Sequence, residues 1–431
     1  MKISVNRKEF LDSIIYLTNN TSKSSLVLAL QNIHMKVGDQ ITLRKTDLEI
    51  DLSCTIPFGT KEGVDEEILI NPTDIIPLLK AITVDIIDIE TEYNTITIRE
   101  VFNEYKIPYF DSTDYIVPKS FDTTESVNIV KEDLVTILDD ATSYTAGKND
   151  LRESLKTINM KFNNDTITVI ASDAQKLYKR SMMISMDSDV LPMVDICIPL
   201  FSVKSIVNLM KEKDDKMVRF TFCYSTEGVK KKLTNISVSC GNKISNVLLA
   251  DTKFPDVDKL ITKNQPVIVK INREEVLSVI KKLQSVSNES LKDVVIFLNE
   301  DHVIFNSLDV DRGKEGNVKI EASVTGKLKP ITNSYKKEGK IITEINERQA
   351  LSFNLNYLNL IFNTLQSKDV YIRAVQQSSL SLFFPTEEEN NSYTILLAPI
   401  IVDRASSPTS VTEEDDPDFV KEPTTALPDD L

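Results

Sequence analysis

The chain has 431 residues with 50 basic and 65 acidic side chains, a formal charge of −15, and a composition that is 41% hydrophobic. That is typical of a globular protein with room for two to four domains of about 100–200 residues. The longest apolar run has eight residues and the N-terminus lacks an apolar core, so we expect neither a membrane helix nor a secretory signal.

Three segments that share one pattern divide the chain. They are Ile3–Ile14, Val127–Leu138 and Val269–Ile280, and the first and third match almost position for position. Each begins with apolar residues at every second position and continues with apolar residues at helical spacing. This pattern predicts a strand that leads into an amphipathic helix.

Two further landmarks recur between these segments. Thr42–Asp47 resembles Thr168–Asp173, which lies 126 residues later, and the strings Asp114–Pro118 and Phe254–Asp256 close the first two units. A repeat this long indicates domain duplication rather than a solenoid. We therefore predict three similar domains, at 1–124, 125–262 and 263–402.

Most of the sequence between the landmarks consists of short alternating segments typical of strands, at 86–98, 166–171, 218–222, 235–238, 294–298 and 370–373. Helical spacing occurs at 72–82, 201–213 and 356–365. Each domain is therefore predicted to be α+β, with antiparallel sheets and about two helices.

The last 29 residues, 403–431, differ from the rest. They hold nine acidic residues, two basic ones and four prolines. Such a segment has too little apolar surface to form a core, so we predict a disordered acidic tail. It carries seven of the chain's fifteen net negative charges.

Motifs for chemistry are weak. No glycine-rich phosphate loop is present, and the string Asp309–Glu315 fails as a calcium loop because position 12 is Ile320. The two histidines, His34 and His302, stand outside any nucleophile motif, and the four cysteines are widely spaced. We expect free buried cysteines in a reducing cytoplasm, and no catalytic residue, metal or cofactor.

The order of several strings resembles the bacterial DNA polymerase III beta subunit, the sliding clamp family, over residues 1–402. The strings are Met1–Arg7, Thr46–Ile50, Asp114–Tyr115, Asp150–Leu155, Ala171–Leu177, Phe254–Asp256, Ser287–Glu289 and Phe353–Leu358. The acidic tail departs from the family, whose chains typically stop near residue 402.

The resemblance implies a non-catalytic ring. Two chains would join head to tail into a homodimer, with helices lining a hole that encloses duplex DNA without reading its sequence. The ring would confer processivity by tethering the replicative DNA polymerase, and it would also bind the clamp loader and repair proteins. Dimer contacts implied by the family are Tyr105 and Ile107 facing Ser285 and Val286.

DNA contacts are expected from basic and polar residues on the helices and the rim. By position in the repeats and by the family match they are Arg7, Lys23, Lys131, Asn149, Arg152, Lys204, Lys211, Arg273, Lys281 and Lys282. For each of these residues taken singly, an ordinary solvated side chain without a DNA contact is about as good an interpretation. An inner wall of cations would reconcile DNA binding with the net negative charge.

The resemblance also implies a hydrophobic pocket that takes a short Leu/Phe motif from partner proteins. Its lining would be Leu155, Ser172, Ala174, Lys176, Leu177, Pro255, Lys259, Leu260, Leu291, Asn354, Tyr357, Ser378, Leu380, Leu397 and Pro399. Core packing is the alternative for the apolar members. Ala174–Lys176 replaces a more usual Gly-His-Arg, which predicts altered partner preference.

Two other functions are compatible with the sequence. One is a clamp-like docking scaffold that no longer loads on DNA, which a weak inner-wall signal would allow. The other is a carboxylate-dependent hydrolase on an unrelated β-rich fold, against which the ordered family strings argue.

Overall fold

A computed structural model describes residues 1–22, 27–117, 123–163, 165–184, 193–211, 215–227, 230–261, 265–337, 340–346, 348–386 and 393–400. The chain divides into two compact units: residues 1–171 with 181–254, and residues 172–180 with the part from Pro255 onward. The boundaries at 124 and 262 stay predictions. The predicted tail, 403–431, lies outside the described residues.

The helices occur in pairs along the chain. They are α1 (Arg7–Asn19), α2 (Pro72–Ala81), α3 (Lys131–Thr142), α4 (Leu200–Met210), α5 (Arg273–Leu283) and α6 (Leu355–Thr364). Helix α1 packs against α2, α3 against α4, and α5 against α6. The three helices predicted at 72–82, 201–213 and 356–365 are confirmed. No helix in the described ranges is long and apolar enough to span a membrane.

Short strands make up most of the remainder. In chain order they are β1 (Lys2–Asn6), β2 (Ile33–Val37), β3 (Ile41–Thr46), β4 (Ile50–Ile56), β5 (Lys61–Glu62), β6 (Glu66–Ile70), β7 (Ile86–Glu92), β8 (Thr95–Glu100), β9 (Asn103–Pro108), β10 (Phe110–Asp111), β11 (Thr123–Val130), β12 (Thr157–Asn163), β13 (Thr166–Ser172), β14 (Lys176–Met183), β15 (Val194–Pro199), β16 (Met217–Glu227), β17 (Lys230–Cys240), β18 (Lys243–Leu248), β19 (Val267–Asn272), β20 (Asp293–Leu298), β21 (His302–Asp309), β22 (Lys314–Thr325), β23 (Ile331–Lys337), β24 (Lys340–Asn346), β25 (Ala350–Asn354), β26 (Asp369–Ala374), β27 (Ser381–Phe384) and β28 (Tyr393–Leu397).

The first unit contains antiparallel sheets. One has the order β5-β1-β7-β8-β9, and a second, of nine strands, has the order β10-β6-β2-β3-β4-β18-β17-β16-β11. Strands β15, β12 and β13 follow one another in a third. In the second unit the order is β14-β28-β27-β26-β19-β22-β21-β20-β25, and β23 pairs with β24 alone. The predicted α+β class is confirmed.

The three repeated segments fold as predicted, each into a strand that runs directly into a helix: β1 into α1, β11 into α3, and β19 into α5. Asn6 and Asn272 cap the first and third helices, since their side chains accept backbone N–H groups of the first turn. Val130 holds the same place before α3 and offers no such bond. On each helix the apolar face is buried, with Phe10 and Ile14 on α1 as examples.

The histidines and cysteines are buried. His34 stacks on Tyr115 with ring centroids 4.9 Å apart, and His302 lies between Asp301 and Asn299. All four cysteines are free and buried, as predicted. Burial raises the pKa of the Cys54 thiol to about 12. Within the described residues no three His, Cys, Asp or Glu side chains come together as a metal site.

Candidate functional site

The recurring Thr42–Asp47 and Thr168–Asp173 landmarks form the same turn. Asp47 accepts the N–H groups of Glu49 and Ile50 at 3.2 and 2.9 Å. Asp173 accepts those of Gln175 and Lys176 at 2.9 and 2.8 Å. In both turns the residue after the aspartate has a left-handed backbone, with φ of 77° at Leu48 and 75° at Ala174. The sequence repeat is therefore also a repeat of backbone geometry.

In the second unit this turn presents polar side chains to the start of helix α6. The Lys176 ammonium, on a side chain only 7% exposed, pairs with Asp173 and lies 4.8 Å from the centre of the Tyr357 ring. The Tyr357 hydroxyl donates to Gln175 Oε1 at 2.7 Å. Burial and the charge of Asp173 raise the pKa of Tyr357, so the hydroxyl stays a donor.

Further hydrogen bonds and an ion pair hold the segments next to the turn and to the start of α6. The Asn354 amide donates to the Leu291 carbonyl at 3.0 Å, and the same side chain accepts the Tyr357 N–H. The Ala398 N–H donates to the Gln175 carbonyl at 2.7 Å, which places Pro399 beside the turn. Lys179 pairs with Asp258 at 2.6 Å and so holds the short 3₁₀ turn that ends at Leu260.

We call these residues the α6 patch: Ala174, Gln175, Lys176, Leu260, Leu291, Asn354, Tyr357 and Pro399. Leu260 and Leu291 are 46% and 55% exposed. Of the other predicted lining residues, Leu177 and Leu397 are buried in β14 and β28, Ser172 is buried in the turn, and Leu380 is half-buried. Pro255, Lys259 and Ser378 are exposed, and Leu155 lies in the first unit, where it is buried.

Two of the residues predicted to contact DNA make hydrogen bonds that stabilise the fold. The Arg7 guanidinium donates to the carbonyls of Val84 and Leu79 at 2.8 and 3.2 Å, at the C-terminal end of α2. Arg273 Nε donates to the Phe362 carbonyl at 2.7 Å, in the last turn of α6. Both cations thus satisfy carbonyls that a helix end leaves without partners. Contact of either with DNA remains a prediction.

The other predicted DNA contacts differ in exposure. Lys131 is buried, with its ammonium 3.7 Å from Cys240 Sγ. Lys211 pairs with Asp139 at 2.9 Å, and Arg152 binds Asp150 through two bonds that lower the pKa of that carboxyl to about 2. Lys204, Lys281, Lys282 and Asn149 are exposed. Lys23 lies outside the described residues.

Charge on the helices is balanced rather than basic. The six helices together hold eight basic and nine acidic side chains. The five lysines exposed on them are Lys8, Lys80, Lys204, Lys281 and Lys282. Helix α3 is the most acidic, with four carboxylates and one buried lysine.

The residues of the predicted dimer contact lie beside open sheet edges. Tyr105 and Ile107 are half-buried on β9, the last strand of its sheet. On β22, residues 314–321 pair with β21, and residues 322–325 pair with β19. Ser285 and Val286 follow α5. A side chain at Gly316 of β22 would come within 2.7 Å of Val286, so the two segments are in close contact.

Comparison with known proteins assigns the fold. Residues 1–118 match the family model for the DNA polymerase III beta subunit, N-terminal domain. The chain is 19% identical to the beta sliding clamp of Pseudomonas aeruginosa over 92% of its length and 99% of the relative's. It is 22% identical to that of Chlamydia muridarum over 76% and 85%. It superposes on the Pseudomonas aeruginosa beta subunit with a TM-score of 0.78 at 16% identity, covering 93% of this chain and all of that one.

The chain resembles the DNA polymerase III beta subunits. A crystal structure of the Bacillus subtilis sliding clamp gives the same TM-score, 0.78, again at 16% identity over 93% of this chain. The clamp fold therefore extends over nearly all described parts of the chain. The resemblance predicted from the ordered strings of residues is confirmed.

Some features of the clamp fold were missed by sequence reasoning. The Asn-Arg pair at 6–7 and again at 272–273 was visible in the repeat, yet only the structure shows that the asparagine caps one helix and the arginine the end of another. The bond between Gln175 and Tyr357 joins residues 182 positions apart, which no local pattern reveals.

Proposed function

We propose that this chain is a DNA sliding clamp: a ring-shaped homodimer that encircles duplex DNA, confers processivity on a replicative polymerase and performs no catalysis itself. The superposition over 93% of the chain on clamps of low identity supports this proposal. The duplicated strand-helix units support a ring built from six similar domains, three from each chain.

The open edges support ring closure. An edge strand with free N–H and C=O groups is a template for pairing with another chain. Among the described strands, β9 is the last of its sheet in the first unit, and residues 314–321 of β22 pair with β21 in the second. Pairing β9 of one copy with β22 of another is a heterologous contact, and two such contacts close a ring of two chains. Tyr105, Ile107 and Val286 would supply its apolar core.

The balanced charge of the helices fits a ring that slides. Affinity for phosphates grows with the number of cations that neutralise them, and a strongly basic wall would hold DNA tightly. Five exposed lysines on the helices provide weak contacts without reading bases. Topological enclosure then supplies the retention that affinity does not.

The α6 patch is proposed as the docking site for polymerase, clamp loader and repair proteins that carry a Leu/Phe motif. Leu260 and Leu291 provide exposed apolar contact, while Gln175 and Asn354 provide polar groups that fix a peptide backbone. Apolar anchors among a few convergent polar groups are the usual composition of such sites.

The test is the solution mass together with retention on DNA. We expect a dimer of twice 48.6 kDa that a clamp loader places on nicked circular DNA and that leaves when the circle is linearised. Retention unchanged by linearisation, or a monomer never retained on circles, would contradict the ring.

A docking scaffold that no longer loads on DNA is the second candidate. The specific observation in its favour is that the helices hold more acidic than basic side chains and that Arg7 and Arg273 are engaged with helix carbonyls. A dimer that binds Leu/Phe peptides but is not retained on circular DNA would establish it.

A further inference from the structure

The described part of the chain ends beside the α6 patch. The last described residue, Ile400, donates its N–H to the Ser352 carbonyl at 2.9 Å and accepts the Ser352 hydroxyl through its own carbonyl. Ser352 lies on β25, two residues before the Asn354 that caps α6. Ile400 therefore lies next to the patch, and any apolar group in 401–431 is joined to this point through the chain.

The residues after 400 contain one aromatic side chain, Phe419, followed by Val420. Both stand in the string Asp415–Lys421, where Asp416 and Asp418 alternate with proline and phenylalanine. The rest of the segment has scattered aliphatic residues without an aromatic anchor. Aromatic residues are enriched at the cores of protein interfaces, so Phe419 with Val420 is the strongest candidate anchor in this segment.

The patch complements this string. Each of its two exposed leucines has a lysine as its sequence neighbour, Lys259 beside Leu260 and Lys292 beside Leu291. Lys259 is exposed and its ion pair with Asp256 lies at the surface, where such a pair is worth little. An acidic peptide whose apolar anchor covers either leucine therefore brings a carboxylate to the lysine beside it.

The chain between Ile400 and Phe419 is long enough for Phe419 to reach the patch and short enough to keep its local concentration high. Between Ile400 and Phe419 lie 18 residues, which gives a flexible chain a root-mean-square span of about 23 Å. At such a length the effective local concentration is on the order of millimolar. A string that binds the patch with an intrinsic Kd of about 0.1 mM would thus occupy it roughly nine-tenths of the time.

We propose that the Asp416–Val420 segment docks onto the α6 patch of its own chain and competes there with partner peptides. This inference rests on the proposed docking function of the patch. A partner with a Leu/Phe motif must displace the segment. Motifs with low affinity for the patch therefore do not bind, and motifs with high affinity do. The acidic C-terminal segment would then set a threshold for partner affinity.

The experiment compares the full chain with a chain that ends at residue 402. The probe is a fluorescent synthetic peptide with one Leu and one Phe anchor, titrated and followed by anisotropy. We expect it to bind the shortened chain about tenfold more tightly than the full chain, as the occupancy above requires. The double variant Phe419→Ala, Val420→Ala in the full chain should bind as tightly as the shortened chain.

Three outcomes separate the proposals. Equal affinity of the full and shortened chains, with the probe bound by both, overturns segment docking and leaves the docking function intact. No binding by either chain overturns the docking function itself. Tighter binding on truncation that the double variant does not reproduce shows that the acidic segment acts by charge alone, which also overturns the docking of Phe419.

A second readout uses the tail itself. A labelled peptide of residues 411–424, added to the shortened chain, should bind and should lose binding when Leu260 and Leu291 are both replaced by alanine. Its Phe419→Ala form is the matched control. Binding that survives the loss of both leucines would place the segment elsewhere and contradict the inference.

Discussion

Lys45 shows how one buried cation links the fold to pH. Its side chain is buried and its ammonium donates to the carbonyls of Leu30 and Gln31 at 3.0 and 2.9 Å. Burial lowers the pKa of Lys45 to about 8, against about 10.4 in an unfolded chain. The folded state therefore releases this proton at lower pH than the unfolded state does.

The lowered pKa of Lys45 fixes the sign of the pH dependence of the free energy of unfolding. Between pH 8 and 10 the unfolded chain binds more protons at this site, so the free energy of unfolding rises with pH, by at most about 1.4 kcal/mol per unit. Below pH 8 the contribution is flat. We expect the stability of the native chain to rise relative to Lys45→Met over this range in urea titrations. Parallel curves for the two proteins would show that the folded chain keeps Lys45 charged throughout this range, which would contradict the lowered pKa.

Leu260 and Leu291 test the docking surface without testing the core. Both are about half exposed, so replacement by alanine should cost little stability but weaken binding of a Leu/Phe peptide to the shortened chain at least tenfold. Leu177, by contrast, is buried in β14, and its replacement would measure packing as well as binding.

The matched control is Val310→Ala, since Val310 is 77% exposed in the same unit and outside the patch. Anisotropy titrations of the three alanine variants against one labelled peptide give the comparison. Equal affinities for all three would remove the two leucines from the docking surface.

At the scale of elements, the three strand-helix units differ in one cap. Asn6 and Asn272 cap α1 and α5, but Val130 precedes α3 in nearly the same extended conformation, with φ −65° and ψ 120°, and makes no cap bond. Val130 is exposed, so a change there disturbs little packing.

We therefore expect Val130→Asn to raise the free energy of unfolding by about 1 kcal/mol, because it supplies the missing acceptor for the first turn of α3. Asn272→Ala should lower it by a similar amount. Denaturant midpoints of both variants measure this. A Val130→Asn variant that is less stable than the native chain would show that the valine at the β11–α3 junction contributes more to stability than a cap bond would.

These elements also mark what sequence could predict. Periodicity located helices α2, α4 and α6 to within a few residues, because a helix buries a continuous stripe that recurs every three to four positions. The repeat predicted the strand-helix units for the same reason. Strand pairing across the chain, such as β4 with β18, depends on contacts nearly two hundred residues apart and left no local signal.

The candidate sites divide in the same way. The turn at Asp173 was recognisable as a repeat, whereas the bonds of Arg7 and Arg273 to helix carbonyls were not, since a cation looks the same in sequence whether it faces phosphate or a helix end. The exposure of an arginine distinguishes a cation available to phosphate from one bound to a helix end, and exposure is known only from the folded chain.

At the scale of the whole molecule, the helix charges predict weak dependence of DNA affinity on salt. If the ring encloses DNA, few lysines per chain contact phosphates, and the slope of log K against log salt is about −0.9 for each phosphate neutralised. We expect a slope shallower than about −5 for linear duplex, measured by anisotropy between 50 and 200 mM salt.

The control variant combines Asp139→Lys with Asp140→Lys on α3, which should steepen the slope and slow the loss of the ring from linearised DNA. A native slope near −10 would mean that cations outside the helices dominate binding, and it would contradict the proposal that enclosure rather than affinity retains the ring.

The open half of β22 has a consequence for the free chain. In the described part of the chain, residues 314–321 pair with β21 on one side, and a strand with an open side is a template for any passing strand, including one from an unfolded neighbour. Its alternating lysine and glutamate side chains, Lys314, Glu315, Lys319 and Glu321, resist such stacking by keeping the edge hydrated. Aggregation should therefore be slowest when these four side chains keep their charges and the salt concentration is low. A purified chain without its partner is expected to precipitate sooner when these charges are neutralised.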